Sequence, residues 1–285
     1  VYEDVIPIGV ANTLLETVDT TSVALQLGTT IRMPDGLERL PVITALPVAG
    51  FVNPRYGGRK PATKVEWSSE QLEPEEIACA LAIPTAFVDD AGFPVWEQVR
   101  PLVSQAIARV LDAAVLFGTG APASFPTGGV AAAAADVTGT DALEAISNGM
   151  AAIEAQGLVP NGIASSPAIG SALRAEYRSI AVPPDSAPAN QLYGLPVETT
   201  PEWDNSKGDA LVGDWTKLII AVRQDIRFDT SDSAILQDTA GDIIANAFQE
   251  DLLAMRCYMR VAAVLGSPLT PDGPANAFAM ADWTP

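Results

Sequence analysis

Pro101-Leu-Val-Ser-Gln-Ala-Ile-Ala-Arg-Val-Leu-Asp-Ala-Ala-Val-Leu-Phe-Gly-Thr-Gly120 is the stretch whose reading decides the fold. Its apolar residues Leu102, Val103, Ala106, Ile107, Val110, Leu111, Ala114 and Phe117 fall on one stripe at helical spacing. Pro101 suits a first helical turn and Gly118 suits the left-handed residue that closes one. The spacing predicts a helix over 101–117, about 25 Å long at roughly 1.5 Å per residue. Upstream, Trp96 and Val99 fit a short preceding helix, with Pro101 marking a kink or restart. Arg109 and Asp112, three apart, are expected to form a local ion pair worth roughly a few tenths of a kcal/mol when exposed. Gly118-Thr-Gly120 is read as a helix stop and a junction between lobes.

A chain of 285 residues is long enough for one large domain or two modest ones with an ample core. Its 48% hydrophobic content sets it apart from a disordered tail, and no apolar run approaches the roughly 20 residues of a membrane-crossing helix. Against 35 acidic residues there are 16 basic ones, a net charge of −19. A surface that negative repels nucleic acid and anionic membranes, and it suits a wall that contains DNA without sticking to it. Histidine is absent, which removes Ser-His-Asp and Cys-His nucleophile systems and imidazole metal ligands together. Cys79 and Cys257 lie far apart in largely apolar runs, outside any paired metal-ligand spacing, and are expected as buried thiols; nothing in the sequence argues for a disulfide. The chain starts at Val1 without an initiating methionine or a signal-like stretch. Removal of an N-terminal segment during maturation and other trimming both leave such a start.

Working outward, residues 1–36 read as an extended arm opened by Val5-Ile-Pro7, with a short helical segment around 11–18 and strand character over 22–33. Residues 41–83 read as a long β-hairpin. Its tip, Asn53-Pro-Arg-Tyr-Gly-Gly-Arg-Lys-Pro61, is rich in turn formers and bases, the returning strand covers 63–67, and a second β segment covers 76–83. Such a hairpin cannot bury both of its faces, so a partner surface is implied. Arg55, Arg59, Lys60 and Lys64 concentrate four of the sixteen basic residues there, either as a solvated loop tip or as a clasp for an acidic neighbour. Candidate acceptors are Glu73, Glu75, Glu76, Asp89 and Asp90.

Beyond the central helix, 118–138 reads as a loop into a second lobe of mixed helices and strands extending to about residue 224. Asp141-x-x-Glu144 is a capping box that opens a helix ending at Gly157, 162–165 is a short buried strand, and a further helix runs from Pro167 to about Tyr177. At the end, Leu253, Met255, Cys257, Met259, Val261 and Ala263 alternate with Ala254, Arg256, Tyr258, Arg260 and Ala262, which favours a long strand over a helix. Neither Gly118-Thr-Gly120 nor Gly57-Gly-Arg-Lys60 has the context of a phosphate loop. With 35 acids, adjacent pairs such as Glu75-Glu76 arise by chance, and no calcium-loop spacing exists. No catalytic set, metal site or cofactor is expected.

Several of these segments, in this order, resemble the major capsid proteins of tailed bacteriophages, the Hong Kong 97-like fold. Val5-Ile-Pro7 is similar to the start of that family's N-arm, 41–83 to its extended E-loop and Asp112–Gly120 to the end of its spine helix. Tyr193-Gly-Leu-Pro-Val197 resembles a segment of its axial lobe. Gly213-Asp-Trp-Thr-Lys-Leu-Ile-Ile220 with Arg223 and Ile226, and 248–261 with Arg256 and Arg260, resemble its returning strands. The resemblance implies an α+β fold divided into N-arm (1–36), E-loop hairpin (37–83), P-domain spine region (84–120), A-domain (121–225) and returning P-domain strands with a C-terminal tail (226–285).

It also implies a non-enzymatic subunit that assembles with itself, as hexamers and pentamers, into an icosahedral head enclosing double-stranded DNA without sequence-specific contacts. No membrane is involved. Portal, scaffold or maturation protease, and decoration proteins are the further partners it implies, with assembly in the host bacterial cytoplasm. Some members crosslink subunits through an E-loop lysine; Lys60 and Lys64 are available, but no partner asparagine or activating glutamate is matched. Two alternatives stand beside this reading: an encapsulin-type compartment shell, and a soluble carboxylate-dependent hydrolase of small fixed size.

Overall fold

The computed structural model describes residues 22–34, 36–43, 47, 49–52, 59, 60, 62, 66–90, 95–180, 191–238, 240–270 and 273–283. The helix expected around 11–18 and the tip residues Arg55 and Lys64 lie outside them. The first half contains α1 (Val23–Leu27), β1 (Thr29–Arg32), β2 (Glu38–Ile43), β3 (Trp67–Leu72), β4 (Glu75–Pro84), α2 (Thr85–Asp90), α3 (Val95–Phe117), α4 (Gly129–Ala132) and β5 (Ala135–Gly139). After these come α5 (Ala142–Glu154), β6 (Gly162–Ser165), α6 (Ile169–Ile180), β7 (Gln191–Leu192), β8 (Leu195–Thr199) and β9 (Ala210–Gly213). The last part is β10 (Leu218–Ser231), β11 (Ile235–Gln237), β12 (Ile243–Asn246), β13 (Leu252–Leu265), β14 (Leu269–Thr270), β15 (Gly273–Pro274) and β16 (Phe278–Trp283).

Two strands of 14 residues, β10 and β13, form the antiparallel centre of a four-stranded sheet ordered β1-β10-β13-β4. The period-two alternation of β13 puts Cys257, Met259, Val261 and Ala263 into the main core, while Arg256 stays exposed. Helix α3 shares that core through Val103, Ile107, Leu111 and Val115, so it lies on this face of the sheet. The opposite face is covered more thinly, by Met33 and Leu72 against Ala221 and Ala262. Strand β10 starts this sheet at Leu218, earlier than the expected division at residue 226.

Helix α3 is one continuous element of 23 residues with Pro101 inside it, not two helices meeting at the proline. Burial of Val95, Val103 and Ile107 carries the helix through the hydrogen bond that proline cannot donate. The buried stripe is also turned from the expected one. Leu102, Ala106 and Val110 face outward, Leu102 and Val110 being 64% and 54% exposed, while Ser104, Ala108 and Asp112 turn inward. At the far end, Gly118 has φ 69° and its N–H bonds the Ala114 carbonyl at 3.0 Å. A Cβ on Gly118 would meet the Gly128 Cα at 2.7 Å, and one on Gly129 would meet the Leu116 carbonyl at 2.6 Å. The helix end and the following segment therefore close backbone to backbone, which requires glycine on both sides.

The second lobe is a six-stranded mixed sheet ordered β5-β16-β9-β6-β8-β7. Helix α5 packs on it through Ala145, Ile146 and Ile153. Its N-cap forms as the sequence predicts, the Glu144 N–H donating to Asp141 Oδ1 at 2.7 Å, while the Glu144 carboxylate accepts from the N–H of Thr140, one residue before the cap, at 2.9 Å. Tyr193 and Gly194, with φ 52° and 82°, make the two-residue turn between β7 and β8. The C-terminal segment, expected as a tail of the other lobe, instead supplies β16, parallel to β5 and antiparallel to β9. Its residues Phe278 to Ala281 are all buried, so no polar alternation marks it as a strand in the sequence.

Candidate assembly surfaces and the arm anchor

Ser22 is the first of the described residues. Strand character was expected from 22 onward, but Val23–Leu27 is a helix with Ser22 as its N-cap. The cause lies far away in sequence. Asp112, turned inward from α3, accepts the Ser22 hydroxyl at 2.6 Å and the backbone N–H groups of Val23 and Ala24 at 3.1 Å each. A carboxylate thereby satisfies the free amides at the start of α1. Asp112 is 1% exposed, and Thr200 adds a side-chain hydrogen bond. Burial raises its pKa above the usual carboxylate range, with the hydrogen bonds from Ser22, Ala24, Val23 and Thr200 pulling the other way.

The expected Arg109–Asp112 ion pair is not formed. Arg109 reaches Glu202 instead, Nε to Oε1 at 3.7 Å, with both side chains about half exposed. Spacing along a helix puts two residues on neighbouring positions, but here the start of α1 takes Asp112 inward and leaves Arg109 in solvent. Arg109, Asp112, Gln105, Ala108, Thr200 and Pro201 line an open cleft of about 250 Å³.

The hairpin β2–β3 pairs Glu38 to Leu72 through Ile43 to Trp67. Every residue of β3 before Leu72 is exposed, and β2 alternates between half-buried and exposed. Trp67, Ile43, Leu37 and Phe51 are all exposed apolar side chains on this arm of the chain. Arg59 and Lys60 are exposed in the connection between the two strands, outside any regular element. A second short hairpin, β11–β12, carries Ile235, Ile243 and Ile244 in solvent, with Phe248 beyond it at 78% exposure. Sequence patterning missed these residues, because an apolar side chain looks the same whether its partner is in its own chain or another.

Arg256 and Arg260 act within the subunit. The Arg256 Nη2 donates to Asp229 Oδ2 at 2.7 Å across β10–β13, and its guanidinium lies 5.0 Å over the Tyr258 ring. Arg260 is half-buried and its Nη2 approaches the Pro74 carbonyl at 3.5 Å, beside the entry to β4. Among the acidic candidates, Glu75 accepts from the Ser124 hydroxyl at 2.8 Å, and Glu73, Glu76, Asp89 and Asp90 are exposed. Ion pairs among the described residues join Arg109 to Glu202, Lys217 to Asp214 and Arg256 to Asp229, and none of these brings a tip base to one of the acidic candidates. Among the described residues, no group of three His, Cys, Asp or Glu is placed to hold a metal ion, and no helix is long and apolar enough to cross a membrane.

Among the described residues, the hairpins β2–β3 and β11–β12 and the outer edge of α3 carry exposed apolar side chains. Comparison of the chain with protein families gives a match to the phage capsid family over residues 3–268. The chain belongs to the phage capsid family. Among solved structures, one from Microbacterium phage Oxtober96 superposes with a TM-score of 0.75 at 29% identity, covering 93% of this chain and 91% of that one. One from Mycobacterium phage Bobi gives 0.77 at 26% identity, with coverage of 93% and 91%. The capsid of a native GTA particle shares the fold alone, at 0.66 and 14% identity over 94% and 91% of the two chains. Curated proteins compared by sequence gave no match. The expected α+β capsid fold holds, and the chain is a major capsid protein of the tailed-phage type, a structural component of an icosahedral shell. Its assembly partner is the same protein.

Proposed function

We propose that each subunit of this capsid protein clasps its neighbours with the β2–β3 hairpin, and that hexamers and pentamers built this way enclose double-stranded DNA. The carrying observation is the exposure of the hairpin, in which every β3 residue before Leu72 is exposed and Trp67 is 65% exposed. An isolated two-stranded ribbon is marginal in water, and apolar side chains on its faces favour a neighbouring surface. The outward line Leu102, Ala106 and Val110 on α3 is an apolar surface suited to receive it. Arg55, Arg59, Lys60 and Lys64 at the tip would dock on acidic groups of the neighbour, among them Glu73, Asp89 and Asp90.

In this proposal residues 1–36 are the N-arm, held at its root by Asp112, and 37–83 the E-loop. The spine helix with β1, β4, β10 and β13 forms the stiff peripheral lobe, and 121–217 completed by β16 the axial lobe. The net charge of −19 keeps packaged DNA from adhering to the wall. Portal, scaffold or maturation protease and decoration proteins would complete the head, assembled in the host cytoplasm. Reversing Arg59 and Lys60 to glutamate should impair assembly, scored by electron microscopy of the particles against soluble subunit. Normal shells from that double variant would refute the clasp.

A further inference from the structure

Cys79 and Cys257, remote in sequence, are direct cross-strand partners in the β4–β13 ladder. Opposed residues of an antiparallel pair point to the same face, with Cα atoms about 4.5 or 5.5 Å apart according to the pair type. Both separations lie within the roughly 4.4–6.8 Å that a disulfide bridges. Cys257 is fully buried in the main core, and Cys79, half-buried, packs against the same core beside Ile77 and Leu81. The two thiols are free and hydrogen-bond to one another. That bond holds the Cys79 thiol down at about 7, while the same bond and burial push the Cys257 thiol up. A partly exposed, readily ionised thiol beside a buried one is the arrangement of an attacking and a resolving cysteine.

We propose that Cys79 and Cys257 are an oxidation-driven staple that ties strand β4 to strand β13 within one subunit. The oxidant is a small-molecule disulfide of the glutathione class. The Cys79 thiolate attacks one of its sulfurs, forming a mixed disulfide and releasing one thiolate, which takes up the proton that Cys79 gave to solvent. Cys257 then loses its proton and attacks Cys79 Sγ, forming the Cys79–Cys257 bond and expelling the second thiolate, which is protonated in turn. Two protein thiols are oxidised by two electrons and one external disulfide is reduced to two thiols.

Strand β4 is where the bond matters most. It is the edge strand of the four-stranded sheet and continues directly from the β2–β3 hairpin through Glu73 and Pro74. The bond would also close a very long loop, which constrains the unfolded chain strongly. The inference concerns the single subunit, so it stands or falls independently of how the hairpin engages a neighbour.

The test is to incubate the full-length protein with oxidised glutathione, alkylate without reduction, digest and identify peptides by mass spectrometry. The expected product is a Cys79–Cys257 peptide pair from one chain, with a rise in the unfolding midpoint of at least about 5 °C. Dithiothreitol should reverse the rise, and Cys79→Ala should abolish it along with the linked pair. Glutathione retained on Cys79 without resolution, two alkylated thiols, or links between chains would overturn the staple. So would a bond that leaves the midpoint within about 1 °C of the reduced protein.

Discussion

Asp112 completes an element 90 positions away in the chain. Replacing it with alanine would leave the Ser22 hydroxyl and the Val23 and Ala24 amides without their buried acceptor. We expect a loss of about 3 kcal/mol, read from thermal or denaturant unfolding, with local exchange of the amides at 23–25 rising most. Ser22→Ala should cost about 1 kcal/mol, and the double variant less than the sum, because both act on one network. The raised pKa of Asp112 also sets a pH dependence. The folded state keeps this proton to higher pH than the unfolded chain, whose value is about 3.9. Its contribution is therefore fully present below that value and lost as pH rises through the folded pKa. Asp112→Asn should flatten that part of the stability profile, and an unchanged slope would show that another group is responsible. None of this was legible in the sequence, since i,i+3 spacing points Asp112 to Arg109 and says nothing of Ser22.

At the scale of elements, legibility tracked periodicity. The alternation over 253–263 shows up as β13, the N-cap at Asp141 as α5, and the glycine at 118 as the end of α3. Strand β16 escaped because every residue from Phe278 to Ala281 is buried and its ladder partners lie far back in the chain. The orientation of α3 escaped as well: an apolar stripe wide enough to include Leu102 and Val110 does not tell which edge the sheet covers. Two substitutions separate the edges. Leu111→Ala, at 0% exposure, should cost about 2–5 kcal/mol of subunit stability. Leu102→Ala, at 64% exposure, should stay within about 0.5 kcal/mol while reducing the yield of assembled particles. Gly118→Ala should cost about 1–3 kcal/mol, since a side chain there meets both an unfavourable φ and the Gly128 backbone.

For the molecule as a whole, the capsid assignment was readable from the order of weakly specific segments along the chain, and the absence of histidine removed histidine-dependent nucleophile systems and imidazole metal ligands before any geometry was known. What the sequence did not reveal is how the chain closes on itself: strand β16 returns to the lobe of α5, and the start of α1 docks on α3 through a buried carboxylate. The exposed apolar surface on β2–β3, on β11–β12 and along the outer edge of α3 is what the proposed clasp would use against neighbours. Electron cryomicroscopy of the particles formed by this chain tests that most directly. The predicted image is a closed icosahedral shell of sixfold and fivefold clusters, with the hairpin carrying Trp67 lying across an adjacent subunit. A small oligomer of fixed size, or a shell in which that hairpin projects into solvent, would contradict it.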